Sequence, residues 1–156
     1  RLREQLNPET KLGAKALELL QNEKWDYVVL QEMSNGPITA KESFMQSVKE
    51  LCGKVRENGA VPVLYATWAY QKGGKQLQKF GMDYDEMYRK MHEAYAEAAK
   101  ENYTLLADVG SKFYEKTETE NLFNEDGSHP NEAGSHLAAE TIAAAILTDA
   151  KQRGTL

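Results

Sequence analysis

Cysteine is almost missing from this chain. Cys52 is the only one in 156 residues, which excludes an internal disulfide and a cysteine-rich metal centre. Histidine is scarce too: His92, His129 and His136 form no His-x-x-x-His pair of the kind that seats zinc on one helix face. Positive charge is in the minority, with 19 Lys and Arg against 24 Asp and Glu and a net charge of −5. Nucleic-acid binding normally shows as a basic face, and here the cations are spread along the chain. No nucleic-acid partner is therefore expected, and a neutral or modestly polar substrate suits the charge better than a polyanion. No apolar run approaches the ~18 residues of a membrane span, so no membrane partner is expected. Glycine-rich phosphate loops, internal repeats and low-complexity tracts are also absent. The sequence opens at Arg1 in polar surroundings. It reads as a fragment with no visible targeting segment, which leaves the compartment open, export from a bacterial cell included.

What is present is ordinary for one soluble domain spanning residues 1–156, with 41% hydrophobic and 28% charged residues. Leu12, Ala16, Leu19 and Leu20 recur at helical spacing. So do Phe44, Val48, Leu51, Cys52 and Val55, and again Met87, Met91, Ala94, Tyr95 and Ala98. A fourth helix is predicted after Pro130, rich in alanine from Ala138 to Ala150, with the proline in its first turn. Between these lie Asp26–Gln31, Val61–Thr67 and Thr104–Val109, short apolar runs that predict strands covered on both faces. Alternating helices and strands predict an α/β fold, a three-layer α/β/α sandwich on a parallel sheet. Ala69–Asp83, with Gly73-Gly74, reads as a long mobile loop, and Asp83, Asp85 and Glu86 as the acidic first turn of a helix.

Open α/β sheets bind ligands outside the carboxyl ends of their strands. The segments to inspect are Gln31–Pro37, Thr67–Tyr70, Val109–Ser111 and the loop before the last helix. That loop holds Asp126-Gly127-Ser128-His129-Pro130. A turn of small residues can fold the carboxylate back onto the imidazole, fixing one ring nitrogen as a donor and leaving the other to take a proton from a nucleophile. The plainer alternative is a carboxylate that closes a turn and a histidine that caps a helix. His92 and His136 read as helix-surface residues.

Asn124-Glu125-Asp126-Gly127-Ser128-His129-Pro130-Asn131, followed by Gly134, resembles the last block of the SGNH (GDSL-like) hydrolases. Trp25 to Ser34 resembles their third block, with Gln31-Glu32-Met33-Ser34-Asn35 in place of the commoner Gly-x-Asn-Asp. The resemblance implies a flavodoxin-like parallel sheet and a Ser-His-Asp esterase mechanism without metal or organic cofactor. Asp126 and His129 would be acid and base. Gln31, or else Asn35, would be an oxyanion donor, a contribution typically worth ~3 kcal/mol. Ser34, Trp68 and Tyr70 would be substrate-binding positions. The implied substrate is a small-molecule or carbohydrate ester.

The family's first strand and its nucleophilic serine have no counterpart here, since residues 1–24 contain no serine. The serine is expected upstream of Arg1, or on a separate N-terminal segment acting as a partner. Ser34 is the one internal serine on the expected side of the sheet. Ser43 and Ser47 belong to a helix, and Ser128 would have to curl back awkwardly. The alternative function is a non-catalytic carbohydrate-binding or interaction module that keeps the fold.

Overall fold

The structure is a computed structural model that describes residues 1–156. A single turn of 3-10 helix, Leu2–Leu6, precedes helix α1 (Lys11–Asn22) and strand β1 (Tyr27–Gln31). Helices α2 (Gly36–Thr39) and α3 (Lys41–Asn58) lead into β2 (Val61–Ala66), and α4 (Lys75–Phe80) and α5 (Tyr84–Glu101) into β3 (Leu105–Asp108). The chain closes with α6 (Val109–Lys116) and α7 (Glu132–Arg153). The strands are parallel in the order β1-β2-β3, with Gln31 opposite Tyr65 and Ala66 opposite Asp108. All three carboxyl ends therefore share one edge.

Alternate residues of β2 supply the two cores, as a pleated strand requires. Leu64 and Ala66 join the larger core, where Phe44, Val48, Leu51 and Cys52 of α3 meet Met87, Met91 and Tyr95 of α5. Phe44 sets its ring edge against Tyr95 at 5.1 Å, and burial pushes the Tyr95 phenol up to about 12. On the other face Tyr65 meets Val109 and Phe113 of α6, Leu122 and Phe123 of the segment after α6, and Ala138 of α7. The parallel three-layer architecture predicted from the sequence is the observed one.

Four local expectations are corrected. Ala69–Asp83 is not an irregular stretch: α4 forms inside it, bounded by Gly74 and by Gly81 in the left-handed region. Its Leu77 is buried and its Phe80 packs edge-on against Tyr70 at 5.8 Å. The third strand ends at Asp108, whose carboxylate accepts the Ser111 amide at 3.1 Å and so starts α6. Pro130 lies outside α7, paired with Phe123 in an antiparallel bridge. The helix is capped instead by Asn131, whose Oδ1 accepts the Gly134 amide at 3.0 Å. Finally, β1, at the edge of the three-stranded sheet, is not covered on both faces along its length. Tyr27 reaches Asp149 of α7 at 2.9 Å, but Val29 is 40% exposed. Beside β1 an apolar groove of about 470 Å³ opens, lined by Leu2, Leu19, Leu20, Trp25 and Leu30 among others.

Candidate active site

Asp126 and His129 touch. Asp126 Oδ2 lies 2.6 Å from His129 Nδ1, while Oδ1 accepts the backbone amides of Ser128 at 2.8 Å and His129 at 2.9 Å. The sequence makes this local geometry possible at Gly127, whose φ of +67° is strained for any residue with a Cβ. The turn is closed at its base, where Asn124 donates its amide to the His129 carbonyl at 2.9 Å and Asn131 donates to Leu122 at 3.0 Å. The His129 hydrogen bond, then those from the two amides, hold the Asp126 carboxyl at about 2, well below the ordinary carboxylate range. The anion therefore fixes Nδ1 as the donor, and no protein group engages Nε2 of the largely exposed ring.

Two ties hold this turn over the carboxyl end of β2. Trp68 donates its indole N–H to the Ser128 carbonyl at 3.0 Å, and Gln71 donates its backbone N–H to the Gly127 carbonyl at 2.8 Å. The Trp68 ring stacks on Phe113 at 4.2 Å, nearly coplanar at 8°. Trp68 is thus brought to the dyad by its edge rather than as an open aromatic wall. Tyr70 is turned away: it is 5% exposed, inside the core, and walls no open surface.

Gln31 ends β1 on the same sheet edge and is exposed. Asn35 and Ser34 form the turn that follows, both half-buried, and the Asn35 carbonyl accepts the Thr39 hydroxyl at 3.1 Å. Between them Glu32 is buried and accepts the amides of Met33 at 2.7 Å and Leu2 at 3.2 Å. No serine hydroxyl hydrogen-bonds His129. Ser47 is spent on the Ser43 carbonyl at 2.6 Å within α3, and Ser128 offers only its backbone to the turn. His136 is exposed on α7.

A second Ser-His-Asp group is hidden in the sequence because its members come from three different elements, α5, the end of β3 and α6. The Ser111 hydroxyl donates to Asp108 Oδ2 at 2.6 Å, and His92 Nδ1 lies 3.2 Å from that oxygen and 3.3 Å from the hydroxyl. Tyr88 adds its hydroxyl to Ser111 at 3.0 Å. A working relay needs the acid on one ring nitrogen and the nucleophile on the other. Here both crowd Nδ1, so the group fastens α5 to α6 and does not form a triad.

A parallel α/β/α fold with a carboxylate–imidazole pair at the carboxyl edge, just before the last helix, defines an ester hydrolase of the SGNH type. The sequence pattern of the GDSL-like lipase/acylhydrolase family matches residues 4–142, and the chain belongs to that family. No curated protein matches the chain. A solved structure from Slackia heliotrinireducens, described as a candidate SGNH hydrolase, is 45% identical with a TM-score of 0.89 over 94% of this chain and 79% of that one. A DUF4886 family protein from Bacteroides uniformis is 24% identical, with a TM-score of 0.65 over 80% of this chain and 51% of its own. An acetylxylan esterase from Geobacillus stearothermophilus shares the fold at 19% identity and a TM-score of 0.65, over 93% of this chain and 67% of that one.

Proposed function

We propose that this chain carries the acid–base half of a Ser-His-Asp esterase that cleaves a short-chain acyl ester, with a carbohydrate acetyl ester as the substrate class and the nucleophilic serine upstream of Arg1. The observation that carries the reading is the 2.6 Å Asp126–His129 pair, which leaves Nε2 free at the sheet edge where ligands bind. His129 Nε2 takes the serine proton as the hydroxyl oxygen attacks the ester carbonyl. The anionic Asp126 stabilises the resulting imidazolium, and the tetrahedral oxyanion accepts a hydrogen bond from Gln31, with Asn35 the second choice. His129 then returns the proton to the departing alcohol, and water repeats the sequence to release the acid.

Two features support an upstream serine. The outer edge of β1 has no strand partner, so a further parallel strand could lie along it. Leu2, tied to Glu32 just past the end of β1, brings Arg1 to the carboxyl edge, where such a strand would also end. An acetylated sugar is favoured by the net charge of −5, which disfavours an anionic substrate, and by the acetylxylan esterase of similar fold. The carbohydrate-binding module has less support, because it relies on Trp68 and Tyr70, and the structure engages both within the protein. The test is hydrolysis of p-nitrophenyl acetate by the full-length protein. His129→Ala is expected to lower kcat by roughly 10²–10⁴-fold. Full activity in that variant would overturn the assignment.

A further inference from the structure

We propose that Trp68 is a positioning residue for the dyad, acting through the peptide plane between Ser128 and His129; the inference rests on the acid–base roles given above. A trans peptide is rigid, with its C=O and N–H pointing in opposite directions. The plane joining Ser128 to His129 is held at both ends: its carbonyl accepts the Trp68 indole N–H at 3.0 Å, and its N–H goes to Asp126 Oδ1 at 2.9 Å. The preceding plane, joining Gly127 to Ser128, is held the same way. Its carbonyl accepts the Gln71 backbone N–H at 2.8 Å, and its N–H reaches the same Asp126 oxygen at 2.8 Å.

Each clamp therefore fixes a direction as well as a position. If either plane rotated, an N–H would swing off Oδ1, and the carboxylate would lose the support that aims Oδ2 at the imidazole. Gly127, in the left-handed region, makes such rotation sterically easy. A clamp on the outer ends of these planes is what the turn requires.

The donor is itself immobilised. Trp68 lies two residues beyond Ala66, the last residue of the central strand. Its ring is held at 4.2 Å against Phe113, which sets its own edge against Phe123 at 5.5 Å. Phe123 pairs with Pro130, so the aromatic stack and the base of the turn are one packed unit. A half-buried indole N–H seeks a partner, and this one has taken the carbonyl beside the base. The Trp68 side chain hydrogen-bonds the Ser128 carbonyl and neither Asp126 nor the His129 ring, so its effect is on orientation rather than on chemistry.

The test compares two variants of the full-length protein. Trp68→Phe deletes the donor and keeps a ring to stack on Phe113. Phe113→Leu keeps the donor and removes the stack. For Trp68→Phe, kcat on p-nitrophenyl acetate should fall about tenfold or more with KM unchanged, as expected for misoriented catalytic groups. The downfield NMR signal of the Asp126-bound His129 Nδ1 proton should broaden or vanish. Phe113→Leu should lower the melting temperature more and kcat less. If Trp68→Phe leaves both kcat and the Nδ1 signal intact, the proposal is overturned. It is equally overturned if the two variants lose kcat alike, which would reduce Trp68 to packing. A failure of the underlying reading is separately visible, because His129→Ala would then remain active whatever Trp68 does.

Discussion

Replacing Gly134 with alanine sets two well-calibrated effects against each other. The residue lies in the first turn of α7, where its amide completes the Asn131 cap. By helix propensity alone, alanine should stabilise an interior helical position by about 1 kcal/mol. The structure predicts the opposite sign. A Cβ on Gly134 would lie 2.3 Å from the Leu122 carbonyl oxygen and 3.0 Å from both Phe113 Cζ and Pro130 Cβ. The first contact is more than ~1 Å inside an ordinary carbon–oxygen approach. It is to backbone, and that carbonyl already accepts the Asn131 amide, so neither side can yield without loosening the cap. Overpacking of this kind costs about 1–3 kcal/mol and occasionally more; taking the upper part of that range, the net loss after the propensity gain is about 2 kcal/mol. For a domain of this size that is a fall in Tm of roughly 4–8 °C. Gly53 is the internal control. It sits within α3 with nothing within 4 Å of its would-be Cβ, so Gly53→Ala should stabilise by about 0.5–1 kcal/mol. Paired urea and thermal melts read both. A Gly134→Ala protein as stable as wild type, or two variants shifting in the same direction, would refute the packing argument.

Further outcomes concern ionisation. Asp126 is held at about 2 against an ordinary 3.8, so its contribution to the turn is fully present above the ordinary value and fades as pH falls through the lowered one. The Ser128 and His129 amide resonances should hold steady down to about pH 4 and then titrate with a midpoint near 2 rather than near 3.8; the higher midpoint would refute the hydrogen-bonded geometry. Cys52 is fully buried and burial raises its thiol pKa, so the native protein should resist iodoacetamide until it is unfolded. Prompt labelling of the folded protein would contradict its place in the core.

The sequence displayed best what is local or periodic. The continuous run at Val61 marks β2 because residues of both parities are buried there. The dyad was visible because its partners are three residues apart on a turn that a glycine permits. What lay hidden depends on distant pairing. Trp68 and Ser128 are 60 residues apart, and nothing near either tells an open aromatic wall from an N–H clamp. Tyr70 lies inside the core, where α4, itself obscured by the glycines around it, sets Phe80 against it. The cap at Asn131 was hidden by the adjacent proline, which is itself a plausible first helical residue. The uncovered face of β1 was concealed for a related reason: a run such as Tyr27–Gln31 reads alike in the middle of a sheet and at its margin.

That margin also bears on the solution behaviour of the chain. An unpaired strand is a template for intermolecular pairing unless proline, a bulge or charge blunts it. Tyr-Val-Val-Leu-Gln has neither proline nor charge, and its β-branched centre is the composition that self-associates most readily. The acidic residues that flank it directly are Asp26 before it and Glu32 after it, and Glu32 is turned inward. Asp26 is exposed and is the flanking charge that acts as gatekeeper of this edge wherever no further strand, such as the one proposed upstream of Arg1, lies along it.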